Sequence, residues 1–258
     1  MAEGKTTSKI IPVLLVVSLL LIFAVGVLWQ KVVKLEKGGI SDQAAEETTK
    51  ESPITVEKIK KMAKDLKLEE KNFNKCLDES RYNQKVKDDL SLGEKLGVRG
   101  TPAFFINGKF LGGAYPYEIF KEIIDLELGG RGKTIGEYSE ILQKAYEDKA
   151  NRSFDIAPKE INLDSSVIKG DQNAPVVMVE FSDFECYYCI RHYSQTEVKI
   201  VAEYVDTGKV KIIYKHFPLT LGHPNSQKAA EAAECAGEQG KFWEMHDKLF
   251  EASAAVTQ

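Results

Sequence analysis

Apolar residues recur every three or four positions between residues 54 and 96. The stripe consists of Val56, Ile59, Met62, Ala63, Leu66, Phe73, Cys76 and Leu77. This spacing gathers apolar side chains on one face of a helix, so it predicts helical structure. Residues 117–128 and 135–149 repeat the pattern, and the first of these ends at Gly129 and Gly130, residues that commonly terminate helices.

Short apolar runs bounded by turn residues predict strands. Residues 103–106 and 109–111 flank Asn107 and Gly108, a pair favoured in type I′ hairpin turns because both positions need positive φ. Residues 176–181 form a near-continuous apolar run, which is typical of a strand buried on both faces. The other predicted elements are a strand over residues 210–214 and helices over residues 186–205, 224–235 and 242–252.

The N-terminal region has a different pattern. Residues 10–28 carry no charged side chain, and a helix of that length spans about 28 Å, close to the hydrocarbon thickness of a bilayer. Trp29 and Lys31 suit the membrane interface. We therefore expect a transmembrane anchor over residues 10–29, after a short flank at residues 1–9. A cleaved signal peptide and a buried core helix are the alternatives.

Residues 30–52 are polar and lack apolar periodicity, so they predict a flexible linker. Residues 53–258 predict one domain in three parts, namely residues 53–128, a connecting segment at 129–163, and residues 164–258. The composition, with 43% hydrophobic and 29% charged residues, is that of a folded protein. The net charge is −4 and no basic stripe with interleaved aromatic residues occurs, which argues against a nucleic-acid partner.

The most informative chemistry follows the apolar run at residues 176–181. Cys186 and Cys189 enclose Tyr187 and Tyr188 at the point where a strand gives way to a helix. A helix N-terminus stabilises a thiolate through its unpaired N–H groups and its dipole. We therefore expect Cys186 to be the exposed, reactive sulfur and Cys189 to be the resolving one. The two tyrosines between them are expected to tune the thiol pKa and the redox potential.

Other interpretations of the cysteine pair are a zinc site, a structural disulfide and a c-type haem attachment. A zinc site needs two further ligands at suitable spacing, and Cys76 and Cys235 each stand alone. A haem attachment needs histidine at the position of Ile190. The sequence therefore favours redox chemistry by the thiols themselves, with no metal and no cofactor.

Several separated motifs resemble DsbA-like thiol-disulfide oxidoreductases. Residues 181–189 (FSDFECYYC) are similar to the active-site segment of that family. Residues 215–219 and 229–243 are similar to the segment that follows it, and residues 97–108 (GVRGTPAFFING) to its cis-proline loop and hairpin. The resemblance implies an α/β fold, with a thioredoxin-like mixed sheet and a helical insertion.

The resemblance also implies roles for residues outside the cysteine pair. The peptide bond between Thr101 and Pro102 would be cis, turning the Thr101 backbone towards the dithiol so that a substrate segment could pair with it; an ordinary trans proline is the alternative. Some relatives carry a second disulfide in the insertion, so Cys76 and Cys235 are either a structural bridge or buried free thiols. Glu185 either tunes the reactive thiol or is simply solvated.

The order of the motifs departs from that of the family. The cysteine pair usually precedes the cis-proline loop, but here residues 162–258 would have to precede residues 52–128. We therefore interpret the domain as circularly permuted, with the connecting segment joining the former termini, a distance that about 30 residues can cross. The alternatives are two half-domains that complement each other between chains and a tandem pair truncated at both ends.

These features predict a membrane-anchored thiol-disulfide oxidoreductase that oxidises thiols of secreted proteins and exchanges electrons with a membrane redox partner. The expected setting is a single-pass cell-membrane protein with its catalytic domain in the periplasm or at the cell surface, because stable disulfides persist outside the cytosol. Tyr187 stands where the family often has proline, so a reductase or isomerase of extracytoplasmic disulfides is an alternative. Another is a non-catalytic peptide-binding thioredoxin module.

Overall fold

A six-stranded mixed sheet forms the centre of the protein. The computed structural model describes residues 52–163 and 167–257. Its strands are β1 (Ala103–Ile106), β2 (Lys109–Gly112), β3 (Phe154–Asp155), β4 (Ile168–Lys169), β5 (Val176–Ser182) and β6 (Val210–His216). They lie in the order β3-β2-β1-β5-β6-β4, with β5 and β6 parallel and all other neighbours antiparallel. The predicted mixed sheet of thioredoxin-like type is confirmed.

The helices pack on both faces of the sheet. They are α1 (Val56–Asp65), α2 (Glu70–Asp78), α3 (Asn83–Lys95), α4 (Tyr117–Leu128), α5 (Glu140–Glu147), α6 (Tyr187–His192), α7 (Ser226–Gly237) and α8 (Phe242–Thr257). Helix α6 continues as a π-helical stretch (Tyr193–Glu197), one α-helical turn (Val198–Ile200) and a second π-helical stretch (Val201–Val205). The predicted continuous helical segment behind the cysteine pair is therefore present, although part of it is wound more loosely than an α-helix.

The β1–β2 hairpin docks against β5 and thereby joins the two halves of the sequence within one chain. Ala103 lies opposite Phe181, and Ile106 lies opposite Met178. At the hairpin turn Asn107 has a φ of 47° and Gly108 a φ of 83°, as a type I′ turn requires. The Asn107 amide also accepts a hydrogen bond of 2.9 Å from the backbone of β5, so the turn residue helps to hold the register.

Strand β5 is buried on both faces because its alternate side chains enter different cores. Val176 and Met178 pack in a cluster with α4 and the helical segment that extends α6. Val179 and Phe181 enter a second cluster, which α3 covers from the other side. A third cluster lies between the insertion helices and helices α6 to α8. This double burial explains why the strand has no polar alternation in the sequence.

A buried ion-pair network attaches helix α3 to the sheet. Asp89 on α3 lies 3.1 Å from the ammonium of Lys215 on β6 and 2.5 Å from that of Lys85. Burial opposes ionisation of Asp89, but the charges of His216, Lys85 and Lys215 outweigh it and lower the pKa of this carboxyl. The insertion is therefore fixed to the strand that runs beside β5, and is not a loosely attached lobe.

The structure corrects two of the predicted helices. The periodic stretch at residues 54–96 forms three helices, separated where Lys67 and Ser80 adopt φ values of 58° and 50°. Residues 135–149 form a 3-10 turn (Ile135–Glu137) followed by α5, because the chain becomes extended at Tyr138 before the helix starts. Strands β3 and β4 were not predicted, since two residues are too few to show a pattern.

The expected anchor at residues 10–29 and nearly all of the expected linker at residues 30–52 lie outside the described residues. Among residues 52–163 and 167–257, no helix combines the length and the apolar character that a membrane span requires. The residues from Ser52 onwards belong to one compact unit, which contains both the hairpin half and the cysteine half of the sequence.

A disulfide connects the two halves of the sequence a second time. Cys76 on α2 and Cys235 on α7 are bonded to each other, both are fully buried, and they are 159 residues apart in the chain. Of the two alternatives for these cysteines, the structural bridge is thus confirmed. It fastens the insertion helices to a helix that follows β6.

Removing this bridge with the double substitution Cys76→Ala and Cys235→Ala should lower the free energy of unfolding by about 2–4 kcal/mol, because a crosslink over a long loop restricts the unfolded chain. Urea unfolding followed by tryptophan fluorescence measures the change. As a control, wild-type protein with the bridge reduced should unfold at the same urea concentration as the variant in reductant. Equal stability of the oxidised wild type and the variant would contradict the prediction.

Candidate active site

The two cysteines stand at the junction of β5 and α6. Cys186 is the N-cap residue of α6, with an extended backbone (φ −73°, ψ 121°), and Cys189 lies in the first turn. The turn between strand and helix is closed by a hydrogen bond of 3.1 Å from the Cys186 N–H to the Asp183 carbonyl. The strand-to-helix position predicted for the pair is therefore present, with Cys186 at the positive end of the helix.

The structure corrects the predicted exposure of Cys186. Its relative exposure is only 5%, whereas the neighbouring Tyr187 and Tyr188 are 55% and 53% exposed. The cover comes from the loop before β1, because the Cys186 thiol donates a hydrogen bond of 3.4 Å to the Thr101 carbonyl. The side chain of Cys186 therefore keeps only a small exposed surface, next to two exposed aromatic side chains.

The proline loop lies where the resemblance placed it. The Thr101–Pro102 bond is cis, as predicted. The Pro102 carbonyl accepts a hydrogen bond of 2.8 Å from the Gly113 N–H, which ties the loop to the chain that leaves β2. The pairing of β1 with β5 carries this loop to the start of α6. Thr101 is thus the residue through which the hairpin half of the chain touches the reactive sulfur.

The environment of Cys186 favours its thiolate. A hydrogen bond from the Cys189 thiol is the largest influence and lowers the pKa of Cys186; burial opposes it, and further hydrogen bonds from Thr101 and from the N–H groups of Cys189 and Tyr188 support it. Together they lower the pKa of Cys186 to about 6. Cys186 is therefore mostly ionised at neutral pH in the dithiol form.

Cys189 has the opposite property. It is fully buried, and burial raises its pKa well above the usual thiol value, with the adjacent Cys186 thiolate raising it further. The pair therefore holds one ionised and one protonated sulfur side by side. This difference between the two sulfurs is the one that an attacking and a resolving thiol require.

A buried carboxyl group lies beneath the pair. Glu180 on β5 is fully buried, and burial together with the nearby Glu197 raises its pKa well above the usual value. The Ser182 hydroxyl lowers the pKa values of Glu180, Cys189 and Tyr214, which places it among all three. Within the described residues, the Ser182 hydroxyl and one Glu180 oxygen have no hydrogen-bond partner, as is common where protons move.

Sequence reasoning missed Glu180 as a site residue. It was counted within the apolar run at 176–181, and the only available signal was a glutamate inside a strand with no other charge. A carboxyl on a strand buried on both faces is costly unless it is neutral or paired. The position of Glu180 in the sequence is therefore a signal for a functional residue.

Asp183 and His223 form a second polar pair beside the cysteines, and this pair fixes the loop that follows β6. The buried carboxylate of Asp183 accepts hydrogen bonds of 2.7 Å from both the Leu219 N–H and His223. Burial opposes protonation of His223, but the bond to Asp183 outweighs it and raises the His223 pKa, with Cys186 adding to the effect. The Asp183 carboxylate therefore favours the protonated form of His223, next to the cysteine pair.

Glu185 was expected either to tune the thiol or to be solvated. In the structure its main contacts are hydrogen bonds that connect neighbouring loops. Its carboxylate accepts hydrogen bonds from the Asn225 backbone and side chain, at 2.7 and 3.1 Å, and from the Ser52 hydroxyl at 2.9 Å. The side chain is half-buried and fully engaged by these donors. Ser52, the first described residue, thus enters the fold next to the cysteine pair.

Two groups of side chains in the described ranges are close enough to share a cation, and neither contains a cysteine of the pair. They consist of Asp89, His216 and Glu234, and of Glu180, His192 and Glu197. The first group already has the ammonium groups of Lys85 and Lys215 as its counter-charges. The zinc interpretation of the cysteine pair therefore receives no support from the described part of the chain.

The two halves of the chain match two different family models. Residues 162–257 match the family model described as Thioredoxin, and residues 41–125 match the family model described as a DSBA-like thioredoxin domain. The match with the DSBA-like model includes the proline loop, and the match with the thioredoxin model includes the cysteine pair.

Individual relatives match about one third of the chain. A stretch of 90 residues is 32% identical to the "Probable disulfide bond formation protein D" of Bacillus anthracis, covering 34% of this chain and 41% of the relative. A stretch of 89 residues is 47% identical to the "Na(+)/H(+) antiporter NhaA 3" of Salinispora tropica, covering 34% of this chain and 13% of the relative. The chain thus spans less than half the length of these curated relatives.

Among solved structures, the crystal structure of Wolbachia pipientis alpha-DsbA1 is similar at 31% identity. The similarity covers 35% of this chain and 44% of that one, with a TM-score of 0.32.

The thiolate of Cys186 should titrate with a midpoint near pH 6 in the reduced protein, because hydrogen bonds from the Cys189 thiol and from the helix N-terminus lower its pKa to about 6. The ultraviolet absorbance of the thiolate, and the rate of alkylation against pH, measure the midpoint. In Cys189→Ala the midpoint should rise, since the strongest hydrogen bond to Cys186 is lost.

The lowered pKa of Cys186 also determines how the stability of the dithiol form depends on pH. A thiol whose pKa is lowered on folding stabilises the folded dithiol above its unfolded pKa, and this stabilisation is lost as the pH falls through about 6. The dithiol form should therefore gain stability relative to the Cys186–Cys189 disulfide form between pH 6 and pH 9. A midpoint near that of a free cysteine would contradict both expectations.

Proposed function

Because the chain belongs to the DsbA-like family of thiol-disulfide oxidoreductases, we propose that it oxidises thiols of secreted proteins through the Cys186–Cys189 pair. The observation that carries the proposal is the contrast between the two sulfurs. The pKa of Cys186 is lowered to about 6, while burial raises that of Cys189. A dithiol held in this way is stabilised in its reduced form, which makes the corresponding disulfide an oxidant.

The cycle begins with the Cys186–Cys189 disulfide. A substrate thiolate attacks the Cys186 sulfur and forms a mixed disulfide, while the bond to Cys189 breaks and its electron pair goes to the Cys189 sulfur. A second substrate thiolate then attacks the substrate sulfur of the mixed disulfide, and Cys186 leaves as a thiolate. The substrate has lost two electrons to form its disulfide, and the enzyme has become the dithiol.

The two steps make different demands on the site. In the second step Cys186 is the leaving group, and a pKa of about 6 makes it a good one. In the first step Cys189 is released in a buried position, where a thiolate is unfavourable and must take up a proton. Glu180, whose pKa burial raises well above its usual value, lies on β5 with Ser182 between it and Cys189, and we take this carboxyl as the proton source.

The proposed setting is extracytoplasmic, with residues 10–29 as a membrane anchor and a membrane protein as the partner that reoxidises the dithiol. The Cys76–Cys235 disulfide supports this setting, because structural disulfides persist outside the reducing cytosol. An anchored oxidase in that compartment would meet secreted chains soon after they cross the membrane.

We also propose that the domain is a circular permutation of the usual family order. The support is that the proline-loop half and the cysteine half belong to one sheet within one chain, through the pairing of β1 with β5. The two family models match in the reverse of the usual order, with residues 41–125 ahead of residues 162–257. This arrangement needs neither a second chain nor a missing partner domain.

A reductase or isomerase, and a peptide-binding module without catalysis, are the competing functions. Cys186→Ser should abolish oxidation of a reduced, unfolded protein, whereas a binding module would keep its activity. Cys189→Ser cannot form the 186–189 disulfide and should also fail to oxidise that protein. Mixed with a protein that already carries a disulfide, its Cys186 thiolate should attack that disulfide and accumulate a mixed disulfide, since the Cys189 sulfur that would displace it is missing.

The reduction potential of the pair decides between oxidase and reductase. We expect a value well above that of thioredoxin, which is about −270 mV, because the Cys186 thiolate stabilises the dithiol form. Equilibration of the purified protein with glutathione buffers, followed by alkylation and mass measurement, gives the potential. A value at or below that of thioredoxin would rule out the oxidase and favour the reductase.

The permutation predicts that the chain can be reordered without loss of the fold. A chain that runs from residue 150 to 258, continues through a short linker into residue 51 and ends at residue 149 should unfold at the same urea concentration as residues 51–258 in natural order. It should also oxidise substrate equally well. The cut falls in an exposed turn, residues 148–151. Loss of folding in the reordered chain alone would contradict the permutation.

A further inference from the structure

A groove of about 520 Å³ opens directly beside the proline loop. Thr101 and Pro102 form one end of it, and the chain that leaves β2 at Gly112 and Gly113 continues its floor. The other wall comes from residues 149–159, which belong to the connecting segment. We call this feature the basic groove, for the charges described next. The Thr101 carbonyl also lies 3.4 Å from the Cys186 sulfur, so the groove begins at a residue that contacts the reactive atom.

The ionisable side chains of the groove are mostly cationic. Arg99, Lys149, Arg152 and Lys159 line it, with Asp155 as the single carboxylate. Asp155 lies 3.4 Å from Arg152 and partly neutralises that residue alone. All four cationic residues are exposed to solvent. This concentration of positive charge is unusual for the chain, whose net charge is −4.

The wall of the groove that the connecting segment forms is attached to the sheet. Strand β3 pairs with β2, and the Gly112 N–H donates a hydrogen bond of 2.8 Å to the Ser153 carbonyl just before β3. The Lys159 ammonium donates a hydrogen bond to the Leu96 carbonyl across the groove. Arg152 stacks over the Tyr146 ring at 4.7 Å. The cationic groups therefore stand on a structured wall attached to the sheet edge.

The floor of the groove suits the backbone of a bound peptide. Gly100 and Gly113 have no atoms within 4 Å of the place where a side chain would begin. Without side chains at these positions, another main chain can approach closely. An extended segment advances about 3.3 Å per residue, so a few residues on one side of a substrate cysteine reach from Thr101 into the groove.

We propose that the basic groove selects substrates by binding acidic residues that flank the substrate cysteine whose thiolate attacks Cys186. The inference rests on the proposed function, since the same substrate segment must react with Cys186 and lie along Thr101. Carboxylates of the segment would meet Arg99 and Lys149 first, the two cationic residues of the groove that have neither a hydrogen bond nor an ion pair within the described residues. The substrates favoured are thus extended, cysteine-containing segments rich in Asp or Glu.

Three two-cysteine peptides that differ only in their flanking residues, Glu, Gln or Lys, test the proposal with the full chain in its disulfide form. Their rates of oxidation are measured at low and high salt. Each rate is divided by the rate of the same peptide with a small uncharged disulfide, which removes differences in the reactivity of the peptide thiols. At low salt the Glu peptide should react about tenfold faster than the Lys peptide, and high salt should reduce this ratio.

Charge reversal separates the groove from the overall charge of the protein. Arg99→Glu combined with Lys149→Glu should remove or invert the preference for the Glu peptide. The matched control, Lys64→Glu with Lys71→Glu on the exposed sides of α1 and α2, changes the net charge equally and should retain the preference. Both double variants should oxidise dithiothreitol, a small uncharged dithiol, at the wild-type rate, which confirms that the fold and the cysteine pair are intact.

The outcomes distinguish failure of this inference from failure of the proposed function. If wild-type protein oxidises all three peptides at equal corrected rates, or if both double variants change the preference equally, the groove does not select substrates. If it oxidises neither the peptides nor dithiothreitol, the proposed oxidase function itself is wrong.

Discussion

The antiparallel pairing of β1 with β5 is the interaction on which the candidate site depends. Ala103 faces Phe181 in this pairing, so the residues just before β1 are carried to the end of β5, where α6 begins. Thr101 consequently reaches the Cys186 sulfur although the two residues are 85 positions apart. The groove, the cover over the sulfur and the junction between the two halves of the chain all follow from this one strand pair.

The pairing also explains how two similar thiols acquire different chemistry. Cys186 is at the helix start, where N–H groups and the Cys189 thiol can stabilise a negative charge. Cys189 is one turn further in and is closed off by the core between the helices and the sheet. Glu180 and Ser182 lie on β5, and the Ser182 hydroxyl is close enough to lower the pKa values of both Glu180 and Cys189. Packing therefore assigns the roles that the CxxC spacing alone leaves undefined.

The elements that could be predicted from the sequence are those with local causes. The Asn107-Gly108 turn, the buried run that becomes β5 and the start of α6 at the cysteines all depend on neighbouring residues. The features that were missed depend on distant partners. Asp183 binds His223 from a separate loop, and Cys186 is covered by a residue from the other half of the chain. Contacts between residues far apart in the chain leave no local pattern in the sequence. This is why Cys186 was expected to be exposed.

The connecting segment does more than join the two halves of the chain. A permuted domain needs a chain that crosses from one former terminus to the other, and solvent-exposed coil would satisfy that need. Instead, the segment contributes β3 to the edge of the sheet, which protects β2 from pairing with another chain. The same strand positions Arg152 and Ser153 beside the proline loop. In the proposed permutation, connectivity alone requires this segment, yet its residues also form a wall of the basic groove beside the proline loop.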